Sequence, residues 1–132
     1  MQPTLNVLDI AVTDLGAAID FYRRLGLEFV RDQYMPDDHA GCDLPNGLHL
    51  MLDTDDLRTK TTANWTAPAN GRTFLAFQLE SPAEVDAKYA ELTTAGVTGL
   101  QEPFEAPWGM RYATVADPAG NGVDLYANLP AS

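Results

Sequence analysis

From Leu5 the chain reads Leu-Asn-Val-Leu-Asp-Ile-Ala-Val, which places Leu8, Ile10 and Val12 on one side of an extended strand and Val7, Asp9 and Ala11 on the other. Asp14 offers a helix N-cap, and Leu15, Ala18, Ile19 and Tyr22 then recur at helical spacing until Gly26 stops the run. Three more strands are predicted, Leu27 to Arg31, Ala40 to Leu44 and Leu48 to Asp53, separated by Pro, Asp, Asn and Gly. The order then returns. Phe74 to Leu79 alternates with Leu75, Phe77 and Leu79 on one side, and Ser81-Pro82-Ala83-Glu84 is a capping box with proline at the first helical position. Val85, Tyr89 and Leu92 form the stripe of that second helix, which ends near Gly96. Gly99 to Pro103, Met110 to Ala116 and Val123 to Ala127 supply the remaining strands.

The two halves match in detail, since Asn46-Gly47-Leu48-His49-Leu50 and Asn121-Gly122-Val123-Asp124-Leu125 each lead into the last strand of a half. An internal repeat of this kind predicts an α+β fold of two βαβββ modules forming a curved mixed sheet around a cleft, with the helices on the outer face. Residues 1–132 are read as one domain, with module one over about 1–53, a connection over about 54–72 and module two over about 73–132. The connection is long for a structureless loop, and loops of that length often serve as lids.

Composition narrows the picture. With 132 residues, 45% apolar and 20% charged, the chain has ordinary globular makeup. No stretch approaches the roughly 20 apolar residues of a membrane helix, which predicts a soluble, cytoplasmic chain and no membrane partner. The single cysteine, Cys42, cannot form an intrachain disulfide and reads as a buried small hydrophobe. Eight Lys and Arg against 19 Asp and Glu give a formal charge of −11, which repels phosphate backbones and argues against nucleic acid.

Val12-Thr13-Asp14-Leu15, Phe21-Tyr22, Leu25-Gly26-Leu27 and Ala116-Asp117-Pro118-Ala119-Gly120-Asn121 together resemble the vicinal-oxygen-chelate superfamily of glyoxalases, bleomycin resistance proteins and dioxygenases. In that superfamily one strand early and one strand late in each half often donate metal ligands. The matching positions here are Val7, His49, Phe74 and Asp124, and Val7 and Phe74 have no donor atoms. A catalytic metal needs about three protein ligands, so the resemblance implies the metal-free branch, with no metal or other cofactor. Trp65-Thr-Ala-Pro68, Val85-Asp86, Lys88-Tyr89-Ala90-Glu91-Leu92, Trp108-Gly109, Arg111-Tyr112-Ala113 and Val123 to Ala127 are similar to proteins that bind antibiotics such as bleomycin or mitomycin.

Strand parity proposes the lining of the cleft without the family. If Leu8, Ile10, Leu48, Leu50, Leu52, Leu75, Phe77, Leu79, Val123 and Leu125 pack under the helices, the other face carries Val7, Asp9, Ala11, His49, Met51, Asp53, Phe74, Ala76, Gln78, Asp124 and Tyr126. Trp65 and Trp108 are candidates for clamping a planar ligand or, equally, for anchoring the core or a dimer interface. Met110 and Tyr112 share parity with Trp108, Arg111 reads as a solvated charge, and His39 as exposed. The expected ligand site is Val7, Asp9, His49, Met51, Trp65, Phe74, Trp108, Met110, Tyr112, Asp124 and Tyr126. It would serve a homodimeric protein that sequesters an aromatic natural product, with no catalytic residue. The alternatives are a metal-dependent lyase, isomerase or extradiol dioxygenase, or a metal-free enzyme using His49 beside Asp124.

Overall fold

The structure, a computed structural model, describes residues 1–131. The chain divides into two compact units, the first Met1–Pro68 and the second from Ala69 onward. The first contains β1 (Val7–Val12), α1 (Leu15–Arg23), β2 (Val30–Arg31), β3 (His39–Asp43), β4 (His49–Thr54) and α2 (Asp55–Thr61). Its sheet has the order β1-β4-β3-β2, with β1 parallel to β4 and the other pairs antiparallel. The second unit repeats the plan with β5 (Phe74–Gln78), α3 (Pro82–Thr94), β6 (Thr98–Ala106), β7 (Met110–Ala116) and β8 (Gly122–Asn128). Its order is β5-β8-β7-β6, again with one parallel pair, β5 and β8. The βαβββ module is thus present twice, each copy with its own four-stranded mixed sheet.

Both modules begin and end their first helix by the same chemistry. Asp14 Oδ1 accepts the Ala17 amide hydrogen at 3.0 Å, and Ser81 Oγ accepts that of Glu84 at 3.3 Å while Glu84 Oε2 takes the Glu80 amide at 2.8 Å. At the far ends Gly26 (φ 88°) and Gly96 (φ 97°) turn left-handed. That turn lets the Leu27 and Val97 amides reach back to the Tyr22 and Leu92 carbonyls, each at 3.0 Å, and a side chain at either glycine would strain the turn.

The first core sets Leu15, Ala18, Ile19 and Tyr22 of α1 among the buried residues with Ile10, Val12, Ala40, Leu50 and Leu52, the stripe and strand faces that periodicity predicts. In the second, Val85 and Leu92 are buried, as are Ala113, Val115, Val123, Leu125 and Ala127. Leu75, Phe77 and Leu79, expected under the second helix, are only half-buried.

Some boundaries differ from the sequence reading. Leu5 lies outside β1 and is exposed, and β2 is reduced to Val30–Arg31. Phe29 instead leaves the strand path to bury its ring against Tyr22, with centroids 5.8 Å apart. Cys42 is half-buried. The connection is no irregular lid, since it opens with α2, whose N-cap Thr54 accepts the Leu57 amide at 3.2 Å. Asp55 and Asp56 in the first turn and Arg58 and Lys60 in the last suit the helix dipole. No residue of α2 is buried, so it writes no hydrophobic stripe into the sequence. Among the described residues no helix is long and apolar enough to cross a membrane.

Candidate functional site

On the face of β7 and β8 opposite α3's core, register places Tyr112 across from Tyr126 and Thr114 across from Asp124. Thr114 donates its hydroxyl hydrogen to Asp124 Oδ1 and Tyr112 donates to Asp124 Oδ2, both at 2.7 Å. Burial, with the bond to Asp124, pushes the Tyr112 phenol up to about 12, so it remains a donor at neutral pH. The Tyr112 and Tyr126 rings stack at 6.2 Å, and Trp108 meets Tyr112 edge-on at 5.5 Å. Phe104 meets Trp108 at 6.3 Å, also edge-on. Four rings therefore form a continuous wall ending at a carboxylate held by two hydroxyls. Trp108, in the turn between β6 and β7, is 58% exposed, which leaves its ring free to receive a partner.

Of the expected second-module residues, Trp108, Tyr112, Asp124 and Tyr126 come together here, and Met110 is half-buried at the start of β7 on the same parity. Phe74 does not join them. It lies across from Gly122 at the other end of β8, with ring atoms 2.2–2.3 Å from where a Gly122 Cβ would sit, beside a hollow of about 440 Å³ shared with Leu100, Thr98 and Asn70. Phe104 escapes the sequence reading because two register shifts between Gly99 and Phe104 break the alternation that would have revealed it. Arg111 is not a solvated charge: its Nε lies 2.9 Å from Asp86 Oδ1 and ties β7 to α3. Asp117, in the run that carries the family resemblance, is buried and shapes the turn into β8. It accepts the amides of Ala119 (2.9 Å) and Asn121 (2.8 Å) and the Asn121 side chain (3.0 Å).

In the first module β3 and β4 carry two cross-strand His–Asp pairs on one face, His39 opposite Asp53 and Asp43 opposite His49, with Gly41 and Met51 between them. His49 Nδ1 lies 2.7 Å from Asp43 Oδ1, and its ring covers Gly41, where a Cβ would come within 2.9 Å of it. Asp43, therefore, is the carboxylate that orients His49, while the oxygens of Asp124 are engaged by Tyr112 and Thr114. His39, expected to be exposed, is half-buried with its Nδ1 against Asp53. Both imidazoles line a hollow of about 320 Å³ together with Asp32, Cys42 and Asp43. Asp9 lies on this same face of β1, and Arg58 of α2 approaches it to 2.8 Å. Val7 is exposed, Met51 half-buried, and Trp65 half-buried after α2.

The donor set does not fit the metal site that the resemblance brings with it. Val7 and Phe74 offer no ligand atom, so only His49 and Asp124 of the four matching positions carry a donor, short of the roughly three protein ligands a catalytic ion needs. Among the described residues no group of three or more His, Cys, Asp or Glu side chains is arranged to hold an ion.

Residues 4–125 match the profile of the Glyoxalase/Bleomycin resistance protein/Dioxygenase superfamily. The chain is 31% identical over 126 residues to an uncharacterized protein of Mycobacterium bovis, covering 92% of this chain and 80% of that one. Among solved structures it is similar to a glyoxalase/bleomycin resistance protein/dioxygenase from Nocardioides (27% identity, TM-score 0.76, covering 100% of this chain and 87% of that one). It is also similar to a lactoylglutathione lyase from Agrobacterium tumefaciens (25% identity, TM-score 0.69, covering 96% and 94%). The doubled βαβββ module and the matched profile agree, and the chain belongs to the Glyoxalase/Bleomycin resistance protein/Dioxygenase superfamily.

Proposed function

We propose that this member of the superfamily is a small-molecule binding protein that holds a planar aromatic ligand against the ring wall of its second module and releases it unaltered, in the manner of the antibiotic-binding branch its sequence resembles. The observation that carries this reading is the exposed Trp108 ring, set between Phe104 and Tyr112 in a row of four aromatic rings. A planar ligand stacked there gains apolar burial and roughly 0.5–1.5 kcal/mol per ring pair beyond it. Asp124 supplies direction, because a carboxylate fixed by two hydroxyls retains lone pairs for a donor on the ligand. The reading includes a homodimer: β5 and β6 are the edge strands of the second sheet, and a second copy is a common way of covering such edges.

Titration of tryptophan fluorescence with a panel of planar natural products tests this. Trp108→Ala should weaken every binder by a similar factor, about 2- to 10-fold for one lost ring pair, and Asp124→Asn only those that donate to it. Unchanged affinity in Trp108→Ala removes the stacking reading, and recovery of a chemically altered ligand replaces binding with catalysis.

A further inference from the structure

Asp9 and Asp53 share one face of adjacent parallel strands, offset by two positions because Asp9 opposes Met51 and Asp53 opposes Ala11. Their side chains are 10% and 9% exposed, and burying two carboxylates together demands compensating donors. Asp53 has one, His39, from β3. Arg58 is the cation within reach, with Nη2 2.8 Å from Asp9 Oδ2 and Nε 4.0 Å from Asp53 Oδ2. It is close but not aligned to donate: no cation or hydroxyl donates to either Asp9 oxygen, the hydrogen bond between Asp9 and Asp53 requires one of the two carboxyls to keep its proton, and both Asp9 oxygens are shut off from solvent. A well-seated guanidinium presents two parallel N–H groups to a carboxylate. This one arrives obliquely from a seven-residue helix with no buried residue.

Two buried carboxylates facing one misaligned cation leave a site short of donors. A proton is one answer, and Asp9 does hold its proton up to about 7, because burial and the neighbouring Asp53 outweigh Arg58 and His39. A planar cation with two parallel N–H groups is a better answer, since it satisfies charge and geometry together. We propose that the Asp9–Asp53 pair is a recognition site for the amidinium or guanidinium group of a small organic ligand, and that Arg58 is the internal group such a ligand displaces. The site shares no residue with the aromatic wall and stands whether or not that wall binds a ligand. The net charge of −11 draws cations toward the protein.

Arg58 then acts as a built-in competitor, carried on a helix with no buried residue, and gives way when the ligand enters. The groups facing Asp9 are Asp53 from β4, His39 from β3 and Arg58 from α2, so the proton on Asp9 is the one a cation must expel. Binding accordingly strengthens as pH rises through 7 and releases a proton below it.

Benzamidine, an amidinium on a planar ring, is the probe. Isothermal titration at pH 8 should show one saturable site on the wild-type chain. Affinity should rise about tenfold in Arg58→Gln and fall at least tenfold in Asp9→Asn and in Asp53→Asn. Arg58→Lys, which keeps the charge but lacks the planar fork, covers the case in which Arg58→Gln fails to fold, and should also bind more tightly than wild type. Titrations at pH 6 in two buffers of different ionisation enthalpy should reveal proton release. The proposal is overturned if no Arg58 variant gains affinity or if Asp9→Asn binds as well as wild type. Loss of binding in Trp108→Ala with full binding in Asp9→Asn would place the probe on the aromatic wall, and this site would then answer to a proton alone.

Discussion

Replacing Asp9 with asparagine separates the proton from the carboxylate at nearly constant shape. Burial and the adjacent Asp53 raise Asp9 from 3.8 to about 7. A carboxyl raised in the fold favours folding while it is protonated; that contribution is complete below 3.8 and is lost as pH climbs through about 7. Three pKa units correspond to roughly 4 kcal/mol. Asp53 works the other way. Burial acts to raise it, but hydrogen bonds with Asp9 and His39 and the charges of His39 and Arg58 prevail and lower it, so it favours the fold above 3.8. In the variant the new side-chain amide can still donate to Asp53, so a net difference on the order of 2–4 kcal/mol remains between variant and wild type. In Asp9→Asn the melting temperature relative to wild type should therefore climb between pH 4 and pH 7 and level off above. At about 3–4 °C per kcal/mol, the climb is about 6–16 °C. Thermal melts of both proteins at half-unit pH steps measure it. A difference that stays flat across that range would mean Asp9 is ionised throughout, and the buried-pair account would fail.

Tyr112→Phe removes the hydroxyl that Asp124 Oδ2 accepts, at a cost of roughly 1–2 kcal/mol, and Thr114→Val a similar amount. Alkaline ultraviolet titration should show a component ionising near 12 in wild type that is smaller by one tyrosine in Tyr112→Phe; because that phenol is raised from 10.0, its stabilisation is whole below 10.0 and lost as pH rises through about 12. Asp117→Ala strips three hydrogen bonds from the turn before β8 and should lower stability by about 2–4 kcal/mol in urea denaturation; an unchanged midpoint would make that turn dispensable. Light scattering at micromolar concentration should return twice the chain mass, and a monomer mass would refute the homodimer.

Strand parity gave the face of almost every side chain, because alternation is local: Leu50 and Leu52 are buried, while His49 and Met51 lie on the other face. Parity does not name partners. His49 meets Asp43 because β3 and β4 fold back through a turn closed by the Leu44 and Leu48 backbone, and that turn fixes which residue opposes which. His39 looked solvent-exposed for the same reason. It stands in a polar run, and only the register that sets it opposite Asp53 draws it inward. The aromatic wall shows the opposite limit. Tyr112 and Tyr126 were visible by alternation, whereas Phe104 lies beyond two register shifts that no hydrophobic pattern announces. Arg58 was the hardest to see, since α2 buries nothing and so leaves no periodic trace, yet it carries the cation that reaches Asp9. Residues whose position follows from burial are written in the pattern of the sequence; residues whose role follows from charge met across register are not. The acidic pair and its arginine belong to the second kind, which is why their test must be electrostatic, through pH and a cationic probe, and not through packing.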